Sequence, residues 1–313
     1  MPTSSYFKLF LALFGLTLTS LFWAGNALVA RGMTGELAPL ALSFWRWAIP
    51  SLYLLPFSFF YIRKYWPELK QKKGPVFMLS LLGIGTYNSV LYTAATQTTA
   101  INLTLVSSTL PFGTLLCALL ILRARPSRHE IAGAMLSCLG ALTILSQGDF
   151  NKLRHLQFNP GDTLMIVAML CWSLYSVLFK KWSINIPAMP FLTIMIPIGT
   201  LCILPFYLVD SLVDSFAEAN ATAVNLWPEH VYWSLAYVAT LPSVMAYWLW
   251  NRGVQVVGPG LASIFSYLIP VFTAMLSVPI LSETLELYHG VGGLLTLGGL
   301  VLASWSSLRQ TRS

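Results

Sequence analysis

Charge is what this sequence has least of. Only 9% of its residues are Asp, Glu, Lys or Arg, against about 25% in an ordinary soluble domain, which excludes a water-facing surface wrapped around one core. Cysteine is sparse as well. Cys117, Cys138, Cys171 and Cys202 each stand alone in an apolar run, without metal or redox spacing, and read as small buried hydrophobes. His129, His155, His230 and His289 fall in connections or at the ends of apolar stretches, with no metal spacing among them; neither a metal nor any other cofactor is expected. Acidic residues are missing from the middle of every apolar stretch, since Asp162, Asp210 and Glu283 sit near ends. That argues against a proton-coupled antiporter, whose membrane carboxylate alternately holds a proton and a cation.

What is present is apolar length. The chain of 313 residues is 56% hydrophobic, and cutting it where charge and proline cluster leaves stretches near the roughly 20 residues that cross a bilayer as a helix. They cover 7 to 27, 40 to 62, 75 to 95, 100 to 122, 128 to 147, 161 to 182, 188 to 209, 230 to 251, 260 to 281 and 288 to 308. Continuous runs of this length do not fit an outer-membrane barrel, whose strands need about 9 to 11 alternating residues. The expected fold class is an all-α integral membrane protein of ten transmembrane helices.

The net charge of +7 suggests nucleic acid in a soluble protein, but its distribution has a better explanation here. With the amino terminus cytoplasmic, fourteen basic residues lie inside, from Lys8 through the Arg63 to Lys73 group to Arg309 and Arg312, and three lie outside, Arg31, Lys152 and Arg154. The outer 210 to 229 connection carries Asp210, Asp214, Glu218 and Glu229 without a basic residue. This positive-inside bias puts both termini in the cytoplasm, and the lipid bilayer rather than nucleic acid is the expected partner.

The chain also resembles itself. An offset of 149 sets Leu21, Phe22 and Trp23 on Leu170, Cys171 and Trp172, and Pro56 on Pro205. Beyond Pro56 an offset of 159 pairs Ser107 with Ser266, Pro111 with Pro270, Gly133 with Gly292 and Gly140 with Gly299. The units are 1 to 150 and 151 to 313, each of five helices. An odd number inserts the second copy upside down, and such inverted repeats place a substrate site near the bilayer midplane and permit alternating access. Because Trp23 belongs to the repeat, the first stretch is expected to be a permanent helix and not a cleaved signal peptide.

The residues Leu21 to Asn26, the Phe-Trp-Arg-Trp run at 44 to 47, Ile101 to Pro111 with its counterpart Leu261 to Pro270, and Leu-Ser-Glu at 281 to 283 ahead of Gly292 resemble the ten-helix EamA-type proteins of the drug/metabolite transporter superfamily. The first copy departs from the pattern, with Ala124 where the second has Glu283. The resemblance implies five plus five inverted helices around a central cavity and a metabolite-exporting role, as in exporters of aromatic amino acids.

Arg46 is the one basic residue well inside a span, where translocon scales assign it a cost of about 2.5–3.5 kcal/mol. Either it anchors a substrate carboxylate through its planar donor fork, or it bonds backbone carbonyls or interfacial lipid; a place near the outer end of its helix favours the second. The remaining substrate-binding candidates are polar or aromatic residues at midplane depth: Trp23, Asn26, Tyr87, Asn88, Tyr92, Asn102, Ser107, Ser108, Trp172, Tyr175, Tyr247, Trp248, Asn251, Ser263 and Tyr267. Amides and hydroxyls hold uncharged or zwitterionic solutes without the desolvation cost of an ion, and aromatic faces pack on planar solutes or hold cations. Each of them alone is equally well read as helix packing. Pro111 and Pro270, at matched depth, are candidate gating kinks, with ordinary packing kinks as the equal alternative, and the glycines at 133, 140, 292 and 299 mark close helix contact.

No serine has a histidine beside it and no carboxylate clusters with histidine, so an intramembrane enzyme is disfavoured and no catalytic residue is assigned. A signalling subunit would leave the duplication unexplained. The expectation is a transporter of a small-molecule substrate in a bacterial inner membrane, a monomer or weak homodimer. It acts as a facilitator or a carrier driven by the substrate's own gradient, most simply for amino-acid efflux, with uptake of a small amine such as choline as the alternative.

Overall fold

The computed structural model describes residues 3–33, 36–98, 100–149, 151–154, 157–217, 227–281 and 286–310. Glu218, His155, Glu283 and Arg312 lie outside the described residues. Those described are 88% helix with no strand, as expected where backbone N–H and C=O groups have no water to bond and must pair within the helix. Seven helical stretches among them are long and apolar enough to cross a membrane: Tyr6–Ala30, Lys73–Ala95, Leu105–Leu122, Pro160–Trp182, Ala188–Ser211, Glu229–Ile280 and Leu287–Trp305. Glu229–Ile280 has 52 residues and is interrupted at Gly258, whose φ of 85° and ψ of 160° break the helix just before Pro259. Two further helices, Pro39–Lys64 and Arg128–Leu145, pack among these.

Helix starts carry local signals. Ser127 Oγ accepts from the Glu130 amide at 3.1 Å while Glu130 Oε2 accepts from the Ser127 amide at 2.7 Å, a reciprocal cap on Arg128–Leu145. Asn159 and Asp162 make the same kind of cap on Pro160–Trp182, with proline at its first position.

The packing partners are Thr3–Gly32 with Ala246–Ile264, Pro160–Trp182 with Tyr87–Ala95 and with Leu110–Leu122, Pro39–Lys64 with Ala188–Ala217, and Arg128–Leu145 with Leu287–Gln310. The last pair comes closest. A Cβ built on Gly133 would lie 2.4 Å from the Gly299 carbonyl oxygen, and one on Gly140 would lie 2.5 Å from that of Gly292, so backbone meets backbone where any larger residue would hold the helices apart.

Two stretches widen into π-helix, Leu81–Thr86 and Ala239–Met245. Each leaves carbonyls out of the regular ladder, the kind of local change that recurs at functional sites. Ser107 ends one helix and Leu110 starts the next, so Pro111 sits at the head of Leu110–Leu122. Pro270 follows a 3-10 turn at Phe265–Tyr267 in the same way. Both prolines therefore stand at helix breaks.

Candidate functional site

At the centre, rings from five helices form one cluster. Trp23 meets Trp172 edge-on with centroids 5.2 Å apart and lies 5.2 Å from Trp250. Trp172 lies 4.7 Å from Tyr87, 5.1 Å from Tyr175 and 5.0 Å from Tyr247. Trp47 packs edge-on against Tyr247 at 4.9 Å. Edge-to-face contacts of this kind add to what burial alone contributes.

Polar bonds tie the rings to the helices around them. The Tyr247 hydroxyl donates to the Gly83 carbonyl at 2.6 Å and accepts from Asn88 Nδ2 at 3.0 Å. Only glycine fits at position 83, because a Cβ there would lie 2.7 Å from the Tyr175 ring. The Tyr175 hydroxyl donates to Asn251 Oδ1 at 2.7 Å, and Trp250 Nε1 donates to Ser176 Oγ at 3.1 Å.

Arg46 closes one side. It is 2% exposed, which excludes the interfacial-lipid reading. Its Nη1 donates to Asn26 Oδ1 at 3.0 Å and to the Tyr92 hydroxyl at 2.7 Å, while Nη2 donates to the Pro242 carbonyl at 3.2 Å. The guanidinium also lies 5.5 Å over the Trp47 ring. That Pro242 carbonyl, in the middle of the second π-helical stretch, accepts from Trp23 Nε1 at 3.1 Å as well. Among the described residues no carboxylate pairs with Arg46; His230 and Glu36, an ion pair at 3.8 Å, lie elsewhere.

The structure therefore brings Trp23, Asn26, Arg46, Tyr87, Asn88, Tyr92, Trp172, Tyr175, Tyr247 and Asn251 together. Other candidates stand apart. Asn102 donates to Asp162 Oδ2 at 2.8 Å and to the Gln157 carbonyl at 2.8 Å, next to Thr98, whose hydroxyl meets Asp162 Oδ1 at 2.6 Å. That clamp ties the start of Pro160–Trp182 to the Thr98 connection and leaves Asp162 only 2% exposed. Trp248 faces away, under the Arg252 guanidinium at 5.1 Å. Ser107 and Ser263 bond carbonyls of their own helices, Leu103 at 2.6 Å and Gly260 at 2.7 Å. Tyr267 donates to the Ser108 carbonyl at 2.8 Å.

Sequence reasoning missed Trp47, Trp250 and the carbonyls of Gly83 and Pro242. Trp47 follows Arg46 directly, and Trp250 is three residues beyond Tyr247 and so on the same helix face. Those spacings were the available signals.

Several bonds join residues at the two repeat offsets. Ser51 and Thr200 share a hydroxyl bond of 2.8 Å at a separation of 149. Asn88 with Tyr247, Ser108 with Tyr267, and Ser137 with the Thr296 carbonyl at 3.1 Å are each 159 apart.

A bundle of helices long and apolar enough to cross a bilayer, around a buried aromatic and polar centre, marks a multi-pass membrane protein. The chain belongs to the EamA-like transporter family, whose profile matches twice, at residues 10–146 and 159–305. It is similar to the uncharacterized transporter YyaM of Bacillus subtilis, 23% identical over 91% of this chain and 90% of that protein. It is also similar to an uncharacterized transporter of Archaeoglobus fulgidus, 28% identical over 92% and 96%, and to a WAT1-related protein of Arabidopsis thaliana, 27% identical over 94% and 88%. A solved crystal structure superposes with a TM-score of 0.72 over 96% of this chain and 98% of its own at 19% identity, a likeness of fold alone.

Proposed function

We propose that the chain is a ten-helix carrier, built as inverted units 1 to 150 and 151 to 313, which moves small organic metabolites by alternating access, foremost amino acids outward. Dividing Glu229–Ile280 at Gly258 and adding Pro39–Lys64 and Arg128–Leu145 brings the seven apolar stretches to ten. The observation that carries the reading is that residues one repeat offset apart bond each other across the middle of the bundle, from Ser51 with Thr200 to Asn88 with Tyr247. Contacts between equivalent residues are what a two-fold axis in the membrane plane generates, and carriers of this design hold their substrate on that axis. The double match of the family profile supports the same division.

Trp23, Trp172, Tyr247 and their polar partners are the proposed substrate contacts, and the breaks at Pro111 and Pro270 the proposed gates. With no carboxylate beside the cluster among the described residues, the carrier runs on the substrate's own gradient. It sits in the inner membrane of a bacterial-type cell with both termini cytoplasmic. The ring cluster also favours a second reading, uptake of a quaternary amine such as choline, because aromatic faces attract cations.

The test is a counterflow panel in proteoliposomes with neutral amino acids, quaternary amines and purines, repeated with Trp23→Ala. Exchange of an amino acid that falls about tenfold or more in the variant supports the reading; exchange of none of the solutes refutes it.

A further inference from the structure

The buried polar atoms left without a hydrogen bond at this centre share one property. They are Arg46 Nε, Trp47 Nε1, Trp172 Nε1 and Asn251 Nδ2, and every one is an N–H donor. They are linked by successive contacts: Arg46 lies over Trp47, Trp47 touches Tyr247, Tyr247 touches Trp172, and Tyr175 bridges Trp172 to Asn251. None is more than 2% exposed. Buried donors of this kind call for acceptors, and here the charge does too, because the Arg46 guanidinium has no acid partner among the described residues.

We infer that the transported solute carries a carboxylate, which Arg46 binds as its counter-ion with the neighbouring Trp47 indole N–H as a further donor. This rests on the transport reading above and narrows its substrate class. A carboxylate has about four lone-pair sites and no proton to donate, matching a centre that has donors to spare. A quaternary amine offers the reverse, a second positive charge in the same buried volume, so the choline alternative loses its ground. Three of the five guanidinium N–H groups are engaged, two with the side chains of Asn26 and Tyr92 and one with the Pro242 carbonyl. Nε–H and one Nη2 hydrogen are left, a fork able to grip both oxygens of a carboxylate. The bonds to Asn26, Tyr92 and Pro242 aim the guanidinium and leave that fork for the carboxylate.

The probes are four compounds on one skeleton, L-phenylalanine, 3-phenylpropionate, L-phenylalaninamide and phenethylamine, titrated by calorimetry against the purified full-length protein and followed by counterflow in proteoliposomes. The two carboxylates are expected to bind about tenfold or more tightly than the amide and amine, with Arg46→Gln abolishing the preference and Arg46→Lys keeping part of it. Should Arg46→Gln fail to fold, Tyr92→Phe gives the complementary reading: by removing one of the bonds that aim the guanidinium, it is expected to weaken carboxylate binding about threefold to tenfold and so narrow the preference over the amide and amine, whereas a purely structural arginine would lose stability without any change in preference. Preference for the amine, binding of none of the four, or equal binding of carboxylate and amide overturns the inference. Carboxylate binding at Arg46 without counterflow of any solute would instead overturn the transport reading and leave the anion site standing.

Discussion

The hydroxyl of Tyr175 donates to the amide oxygen of Asn251 over 2.7 Å, and the residues one repeat earlier, Asn26 and Tyr92, form the same bond with the two residue types exchanged, Tyr92 donating to Asn26 at 3.3 Å. In the proposed units each pair joins the first helix to the third. Only the Asn26 pair also receives a guanidinium. Geometry is thus alike at the two pairs while chemistry differs, which gives the centre one charged side and one neutral side.

Removing both halves of the neutral pair should cost less than the two single removals added together. Tyr175→Phe leaves the Asn251 side chain buried without its partner, a loss of about 1–3 kcal/mol. In the Tyr175→Phe/Asn251→Leu protein neither orphan is left, so the two effects are expected to sum to less than their separate values. Thermal unfolding in detergent of the four proteins of the cycle measures the coupling; strict additivity would show that the bond contributes nothing.

The glycine contact between Arg128–Leu145 and Leu287–Gln310 makes a positional prediction. Gly140→Ala places a methyl about where the Gly292 carbonyl and Thr296 lie, an overpacking cost of about 1–3 kcal/mol. Gly290→Ala meets nothing within 4 Å and serves as the control. Folded yield and unfolding temperature should fall for the first and not the second.

Much of this architecture was legible in the sequence because bilayer thickness imposes it directly. Scarce charge and apolar stretches near twenty residues mark the helices, and the helix Pro160–Trp182 begins one residue before the expected 161. The helices Thr3–Gly32 and Ala188–Ala217 run past the apolar stretches expected at 7 to 27 and 188 to 209, since a helix continues into the headgroup region wherever its residues allow. The site was only partly legible. Aromatic and amide residues at midplane depth pointed to Trp23, Trp172 and Asn251, but depth alone does not say which way a side chain faces, so Trp248 and Asn102 were grouped with them. The Pro242 and Gly83 carbonyls could not be found by reading side chains, because π-helical backbone is what frees them.

Asn102 and Asp162 offer a test of that distinction. Asp162 accepts from Thr98, Asn102 and the Asn159 amide, so Asp162→Ala orphans several donors and should cost about 2–4 kcal/mol. Asn102→Ala should likewise destabilise the protein. Neither should alter which solutes exchange in counterflow, whereas Trp23→Ala should; a change of selectivity in Asn102→Ala would bring that residue back into the site.

The central claim is that the two halves cross the membrane in opposite directions. Gln71 and His230 are both exposed, 159 residues apart, and each lies at or just before the start of an equivalent helix. In a background with the four native cysteines replaced, Gln71→Cys and His230→Cys can be offered a membrane-impermeant maleimide in intact cells. The inverted arrangement predicts that His230→Cys reacts at once and Gln71→Cys only after permeabilisation. Labelling of both from the same side would contradict it.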